Sequence, residues 1–199
     1  MKIGVLGGTF DPVHNGHLAA ARAAMDCAGL DRVLFIPSAQ PPHRPAAVAG
    51  PDARVEMTRL AIDGEAAFQV SDIEVRRGGP SCTADTLAAL QAAFPGDELF
   101  LILGWDAARL FSSWHEPDTV KRLARVVIVS RPGTSSPDFQ QLAAAGLKPE
   151  DVVLCLRPTP DVSGSALRSA IRAGRPITGE VPAAVERFIT THRLYMDNQ

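Results

Sequence analysis

Two histidines near the start of the chain are spaced so that they could bind a phosphate group. His14 and His17 are three residues apart, which puts both side chains on one face of a helix. They follow Gly7 and Gly8, whose lack of side chains lets a ligand approach main-chain N–H groups. Imidazole and helix N-terminal N–H groups both donate hydrogen bonds to anions, so the pattern predicts a polyphosphate site. Gly16 costs about 1 kcal/mol of helix stability relative to alanine, which indicates that a neighbour packs closely there.

Two other interpretations of these histidines are less favourable. A capped surface helix with two solvated histidines would explain a lone histidine better than a pair placed after a glycine turn. A metal site would need further ligands, but no acidic or cysteine partner lies at a familiar spacing from the pair. The phosphate interpretation is therefore preferred, and no metal-ligating residue is predicted.

A strand and a helix must hold this segment in place. The apolar run 2–6 predicts a buried parallel strand, and Asp11-Pro12 predicts a turn. A helix should begin near Val13 or His14 and end at about Cys27. Together the strand, the glycine turn and the helix N-terminus form the predicted anion site.

The rest of the chain alternates apolar strand-like runs with helical patterns, which is typical of a parallel sheet covered on both faces. Further strands are predicted at 33–36, at 68–70 with 73–75, at 99–103 and 126–129 in central positions, and at 152–156. Further helices are predicted at 52–62, 81–94, 165–172 and 182–192. We therefore predict an α/β fold with a doubly wound, mostly parallel, Rossmann-like sheet and ligands bound outside the carboxyl ends of its strands.

Length and composition set the broad class of protein. A chain of 199 residues suits one domain, residues 1–199, with a closing helical segment at about 163–195. A net charge of −2 gives no support for a nucleic-acid or membrane-surface binder. We find no signal-peptide pattern and no apolar stretch near ~20 residues, so a cytoplasmic protein is expected. The three cysteines are widely spaced and odd in number, which predicts reduced thiols.

Polar residues follow other predicted strands and helix starts. Asp106, two residues after Gly104, could accept hydrogen bonds from ribose hydroxyls, be the N-cap of a helix at 107–111, or do both. Ser163 and Ser165 lead into a helix that carries Arg168. Alone these serines are good helix caps, but with the guanidinium they could also bind phosphate oxygens.

The segment His14-Asn15-Gly16-His17 resembles the His-x-Gly-His signature of the nucleotidylyltransferase superfamily. The longer string from Gly7 to His17, GGTFDPVHNGH, is most similar to the bacterial nicotinate-nucleotide adenylyltransferase family. The resemblance extends from Lys2 to about Tyr195.

For the donor nucleotide, this resemblance implies catalytic roles for His14, His17 and Arg168. It implies that ATP contacts Gly7, Gly8, Thr9, Phe10, Gly104, Asp106, Ser163 and Ser165. The family's second signature, Ile-Ser-Ser-Thr-x-Ile-Arg, is matched at Ser163 and Arg168, whereas Gly164 replaces a serine. Mg²⁺ is the implied cofactor, bound mainly through the phosphates of ATP.

For the acceptor, the resemblance implies contacts to nicotinate mononucleotide from His43, Arg44, Thr83, Thr86, Trp114 and Arg131. The helix N-terminus near Thr83 and Thr86 is expected to bind the nicotinate carboxylate, and Trp114 to stack on the pyridine ring. Cys82 departs from the family, which usually has an aromatic residue there. The missing stacking surface would be worth about 0.5–1.5 kcal/mol.

The implied function is transfer of the adenylyl group of ATP to nicotinate mononucleotide, giving the dinucleotide and pyrophosphate in NAD biosynthesis. Pantetheine-phosphate adenylyltransferase shares both signatures, but it leaves the 41–44 and 83–86 segments unexplained. A non-catalytic nucleotide-binding protein of the same fold is a third alternative. A dehydrogenase is disfavoured because the G-x-G-x-x-G fingerprint is missing. Whether the chain forms homo-oligomers is left open.

Overall fold

The structure, a computed structural model, describes residues 1–41, 46–130 and 137–196. Its centre is a sheet in which all the paired strands run parallel, in the order β3-β2-β1-β4-β5-β6. The strands are β1 (Lys2–Gly8), β2 (Arg32–Pro37), β3 (Phe68–Val70), β4 (Glu98–Gly104), β5 (Ala124–Val129) and β6 (Val152–Cys155). The predicted α/β fold with a doubly wound, Rossmann-like parallel sheet is confirmed.

Helices cover both faces of the sheet. They are α1 (Asn15–Ala28), α2 (Pro51–Ile62), α3 (Ile73–Arg77), α4 (Thr83–Ala93), α5 (Trp105–Ala108), α6 (Pro117–Leu123), α7 (Phe139–Ala144), α8 (Gly164–Arg172) and α9 (Ala183–Thr191). Alternate side chains of each inner strand enter two separate cores, as Val5 and Leu6 of β1 do. One core packs on α1, α2, α8 and α9, and the other on α4, α6 and α7.

The strand order reverses between β1 and β4. Strand β1 pairs with β2 on one side and with β4 on the other, and the chain leaves these neighbours in opposite directions. A crevice opens at the carboxyl ends of strands at such a point, because the following loops diverge. Gly8 ends β1 and Gly104 ends β4, so both predicted glycine-containing turns lie at this crevice.

Two local predictions were wrong or incomplete. Residues 73–75, predicted as strand, form the short helix α3, and α6 and α7 were not predicted. The β-branched residues Ile73 and Val75 favour a strand locally, but the tertiary contacts of Glu74 described below determine the helix.

The prediction of reduced cysteines is also wrong for two of the three. Cys27 on α1 and Cys155 at the end of β6 form a disulfide, with Cα atoms 5.7 Å apart. Their separation of 128 residues gives no local signal, because the pairing depends on α1 packing beside β6. Cys82 is a free thiol. Within the three described ranges, no helix is both long and apolar enough to cross a lipid bilayer.

Candidate active site

A cavity of about 320 Å³ lies at the carboxyl ends of β1, β2 and β4. Its volume falls at the lower end of the range for small-molecule sites. The predicted site residues that line it are Gly7, Gly8, Thr9, His14, His17, Thr83, Gly104, Asp106 and Trp114. The structure thus brings the predicted donor and acceptor residues to one cavity. His43, Arg44 and Arg131 lie outside the described residues.

The two histidines meet face to face at the start of α1. His14 is the N-cap residue and is buried, and its ring stacks on that of His17 with centroids 3.7 Å apart. The main-chain N–H of His14 donates to Nδ1 of His17 at 3.3 Å. A ring nitrogen that accepts a hydrogen bond carries no proton, so the neutral His17 ring carries its proton on Nε2. His17 can therefore offer an Nε2–H donor to an anion.

Close packing around the histidines explains the glycine between them. A Cβ at Gly16 would lie 3.0 Å from Nδ1 of His14 and 3.4 Å from the carbonyl oxygen of Pro160. The expectation that a neighbour packs closely at Gly16 is therefore confirmed. Any larger residue would move the His14 ring or the 160 loop.

Phe10 packs against a residue of this site but does not itself line the cavity. Its side chain is fully buried, and its ring packs edge-on against His17 with centroids 4.9 Å apart. Its backbone is left-handed, with φ of 46°, a conformation that costs a non-glycine residue about 1–3 kcal/mol. Packing of the ring against His17 and Phe35 holds this backbone in place. In the structure Phe10 positions a site residue.

Asp106 lies on the opposite side of the cavity, just beyond β4. It occupies the first turn of α5 and is exposed, whereas Gly104 is the N-cap residue of that helix. A carboxylate here complements the helix dipole and can also accept hydrogen bonds from a ligand. The prediction that Asp106 is the N-cap of a helix at 107–111 is therefore wrong, because the helix begins at Trp105, and its contact with a ligand stays a prediction.

The first turn of α4 forms the wall of the predicted acceptor side. The helix begins at Thr83 with Cys82 as N-cap, two residues after the predicted start at 81. Trp114 lines the same cavity as Cys82 and packs on Phe111 with ring centroids 5.4 Å apart. The first N–H groups of a helix have no partner within it, so this turn can receive an anion such as a carboxylate.

Thr86 is turned away from the cavity. It is buried, and its hydroxyl donates to Oε1 of Glu74 at 2.7 Å and accepts from Nη2 of Arg77 at 3.1 Å. Its main-chain N–H is bonded to the carbonyl of Cys82 at 3.2 Å. Thr86 therefore joins α3 to α4. The residue that it contacts on α3, Glu74, lines the cavity.

Two serines of the cavity wall were not among the predicted site residues. Ser38 follows β2, is 6% exposed, and its hydroxyl has no hydrogen-bond partner among the described residues. Ser81 has a structural role, because its hydroxyl accepts from the N–H groups of Ala39 at 2.8 Å and Gln40 at 3.3 Å. A polar residue directly after a buried parallel strand is the signal that could have identified Ser38.

The second predicted phosphate segment lies beside the cavity rather than on its wall. Ser163 is the N-cap of α8, and its hydroxyl accepts from the N–H of Ala166 at 3.2 Å. Its hydroxyl also lies 3.3 Å from that of Ser165. Nη1 of Arg168 donates to the main-chain carbonyl of Asp11 at 2.6 Å. The structure thus places Arg168 behind the turn that precedes His14.

Gly164 permits this close approach. A Cβ there would lie 3.1 Å from the Asp11 carbonyl oxygen and 3.3 Å from Nη1 of Arg168. The departure from the family's serine therefore leaves room for the guanidinium to reach the turn at residue 11.

Comparison with known proteins agrees with this geometry. The sequence profile of the cytidylyltransferase-like family matches residues 5–170. A probable nicotinate-nucleotide adenylyltransferase of Thermus thermophilus is 42% identical, covering 98% of this chain and 100% of the relative. One from Dehalococcoides mccartyi is 40% identical, covering 98% and 97%.

Solved structures share the fold. The nicotinic acid mononucleotide adenylyltransferase of Plasmodium falciparum, complexed with NaAD, superposes with a TM-score of 0.79 at 18% identity, covering 98% of this chain and 97% of that one. A crystal structure from Vibrio parahaemolyticus gives a TM-score of 0.71 at 18% identity, covering 99% of this chain and 96% of that one. From the site geometry and the full-length relatives together, this chain belongs to the nicotinate-nucleotide adenylyltransferases, within the cytidylyltransferase-like family.

Proposed function

We propose that this protein transfers the adenylyl group of ATP to nicotinate mononucleotide in NAD biosynthesis. An oxygen of the acceptor's 5′-phosphate attacks the α-phosphorus of ATP. The new bond joins the two phosphates of nicotinate adenine dinucleotide, and the bond between the α-phosphorus and the α–β bridging oxygen breaks, so that pyrophosphate leaves. The names of the full-length relatives support this reaction.

The observation that carries the proposal is one cavity with two chemically different walls. The His14–His17 pair and the glycine turn after β1 suit a polyphosphate. The first turn of α4 and Trp114 suit a flat ring that bears an anionic substituent. A nucleotidyl donor and a pyridine nucleotide could therefore meet at their phosphates.

Catalysis in this proposal is positioning and charge stabilisation. A phosphate monoester has its second pKa at about 6, so the acceptor is already a dianion near neutral pH and needs no strong base. His17 donates from Nε2 to the α-phosphate or the leaving group, where negative charge develops. His14 holds His17 by stacking and by its main-chain N–H. Arg168, which donates to the main-chain carbonyl of Asp11 in the turn before His14, supplies positive charge.

We propose that Mg²⁺ enters this site with ATP and is held mainly by phosphate oxygens and water. In the described part of the chain, no group of three or more His, Cys, Asp or Glu side chains is placed to hold a metal. The ion would neutralise phosphate charge when bound.

We assign the selectivity for nicotinate over nicotinamide mononucleotide to the first turn of α4. Main-chain N–H groups at a helix start favour a carboxylate over a neutral amide, because both the donors and the dipole select negative charge. Thr83 is the residue of this turn that lines the cavity, and Thr86 acts by fixing α4 against α3.

The test is pyrophosphate release from ATP with nicotinate mononucleotide, nicotinamide mononucleotide or phosphopantetheine in separate reactions. We expect release with nicotinate mononucleotide and much lower catalytic efficiency with the other two. Preferred release with phosphopantetheine would identify the alternative transferase. No release with any acceptor, from protein shown to be folded, would favour a nucleotide-binding protein without catalysis.

A further inference from the structure

One buried carboxylate joins segments that are far apart in the sequence. Asp11, in the turn before His14, is 4% exposed. Its Oδ2 accepts from the N–H of Val48 at 2.8 Å, and its Oδ1 accepts from the N–H of Ala49 at 3.0 Å. The hydroxyl of Tyr195 also donates to Oδ1, at 2.8 Å across 184 residues of sequence.

Asp11 also makes two contacts with Arg168. Nη1 of Arg168 donates to the main-chain carbonyl of Asp11 at 2.6 Å and lies 3.6 Å from Oδ2 of its carboxylate. The charge on Asp11 is therefore partly balanced by the guanidinium that the proposed reaction uses. Both contacts come from Nη1 and Nε is buried, so Nη2 is the nitrogen left for another anion.

A second arginine, Arg54, contacts both Ala49 and the turn after β1. Arg54 is 1% exposed, and its Nε donates to the carbonyl of Ala49 at 3.1 Å. Its Nη1 donates to the carbonyl of Thr9 at 2.7 Å, in the glycine turn that follows β1. Burial lowers the pKa of Arg54, and the nearby carboxylate of Asp11 opposes that shift. Two opposite charges thus fix the turn after β1 to the segment at 48–49.

Tyr195 is buried over this carboxylate and stays protonated. Burial raises its pKa, and the negative charge of Asp11 and the hydrogen bond to it raise the pKa further. A protonated hydroxyl is a permanent donor, so this contact persists across the working pH range. It ties the end of the chain to the turn that carries the phosphate-binding histidines.

We propose that Asp11 is a positioning residue that fixes Arg168 and the 48–49 segment relative to one another, with Tyr195 completing its hydrogen bonds. Residues 48–49 follow closely on the 41–44 segment, which is expected to contact the acceptor. Asp11 therefore acts on the acceptor through Val48 and Ala49 and on the donor phosphates through Arg168. This assignment rests on the proposed function.

Tyr195 and Arg168 contact different oxygens of this carboxylate. Tyr195 and the N–H of Ala49 share Oδ1, whereas Arg168 and the N–H of Val48 lie at Oδ2. Tyr195→Phe should therefore raise KM for nicotinate mononucleotide several-fold and leave KM for ATP and kcat near their normal values. Asp11→Asn removes the charge and should change KM for the acceptor and kcat together.

The test has two readouts, one of which needs no catalysis. Hydrogen exchange of the main-chain N–H groups of Val48 and Ala49 should accelerate by about ten- to a hundred-fold in Asp11→Asn, the scale for losing a hydrogen bond to a charged group. Tyr195→Phe leaves the bonds from both N–H groups to the carboxylate in place and should accelerate exchange at Ala49 less. Asp97→Asn is the matched control, because Asp97 pairs with the N-terminus and Arg32 instead. It should leave exchange at 48–49 unchanged.

The second readout is a double-mutant cycle on kcat. If Asp11 acts through Arg168, Asp11→Asn should lower kcat much less in an Arg168→Ala background than in the wild type. Unchanged exchange at 48–49 in folded Asp11→Asn, or fully additive effects on kcat, would overturn the proposal. Hydrogen exchange tests the contacts of Asp11 even if the wild-type protein releases no pyrophosphate. A failure of the proposal can therefore be told apart from a failure of the proposed function. Tyr195→Phe also serves if Asp11→Asn does not fold.

Discussion

The rings of His14 and His17 stack with their centroids 3.7 Å apart and their planes 26° apart. Both histidines line the cavity, but His17 is the more exposed of the two. His14 is buried, while the main-chain N–H of His14 fixes the tautomer of His17. The geometry therefore assigns the hydrogen bond to developing charge chiefly to Nε2 of His17.

Removing this donor should lower turnover with little effect on folding. His17→Ala is expected to reduce kcat by about 10²–10³-fold, the scale for losing one preorganised donor. His17→Gln retains an N–H group near the place of Nε2 and should lose less. Steady-state rates with thermal melting of each variant check this order, with His192→Ala as a control outside the cavity wall. Near-normal turnover of folded His17→Ala would rule out the assignment.

Cys82 stands where the family usually has an aromatic residue, and it lines the same cavity as Trp114. Cys82→Tyr should add a stacking surface and lower KM for nicotinate mononucleotide by about two- to ten-fold. Cys82→Ser, which adds no ring, is the matched control and should leave KM nearly unchanged. An unchanged KM in folded Cys82→Tyr would mean that this position does not face the pyridine ring.

The hydroxyl of Ser38 is buried in the cavity wall, without a partner in the described residues. We expect it to bond a polar atom of a bound substrate. Ser38→Ala should raise KM for one substrate by about two- to ten-fold, the scale of one net hydrogen bond, and leave the melting temperature unchanged. Ser81→Ala gives the contrast, because it removes the acceptor for two main-chain N–H groups and should lower the melting temperature. Unchanged KM for both substrates in Ser38→Ala would contradict the prediction.

Thr86 is predicted to stabilise the acceptor wall without touching the substrate. Thr86→Val keeps the shape but removes the donor to Glu74, which should lower the free energy of unfolding by about 1–3 kcal/mol. Thr86→Ser retains the hydroxyl and should lose less. Chemical denaturation measures both variants. Full stability of Thr86→Val with reduced activity would instead indicate a direct substrate contact.

Much of this arrangement could be predicted from the sequence because its signals are local. The alternation of apolar strands and helices predicted the sheet. The glycine pair and the two histidines were predicted to share one site, and they line one cavity. Residues directly after strands, such as Asp106, could be placed at the correct edge. Each of these inferences depends on residues within one turn or one strand of each other.

The remaining features depend on contacts between distant segments, which carry no local pattern. The side chain of Thr86 points to Glu74 and not to the cavity, and this direction follows only once α3 packs on α4. The disulfide of Cys27 with Cys155 and the bond from Tyr195 to Asp11 likewise require the finished fold. A local strand preference at 73–75 was overridden for the same reason.

Attack by the acceptor phosphate on the α-phosphorus of ATP can be tested with an isotope label. Nicotinate mononucleotide carrying heavy oxygen in the free positions of its phosphate is incubated with ATP and the protein, and the products are analysed by mass spectrometry. We expect nicotinate adenine dinucleotide that retains every labelled oxygen, together with unlabelled pyrophosphate. Label in the pyrophosphate, or folded protein that forms no dinucleotide, would contradict it.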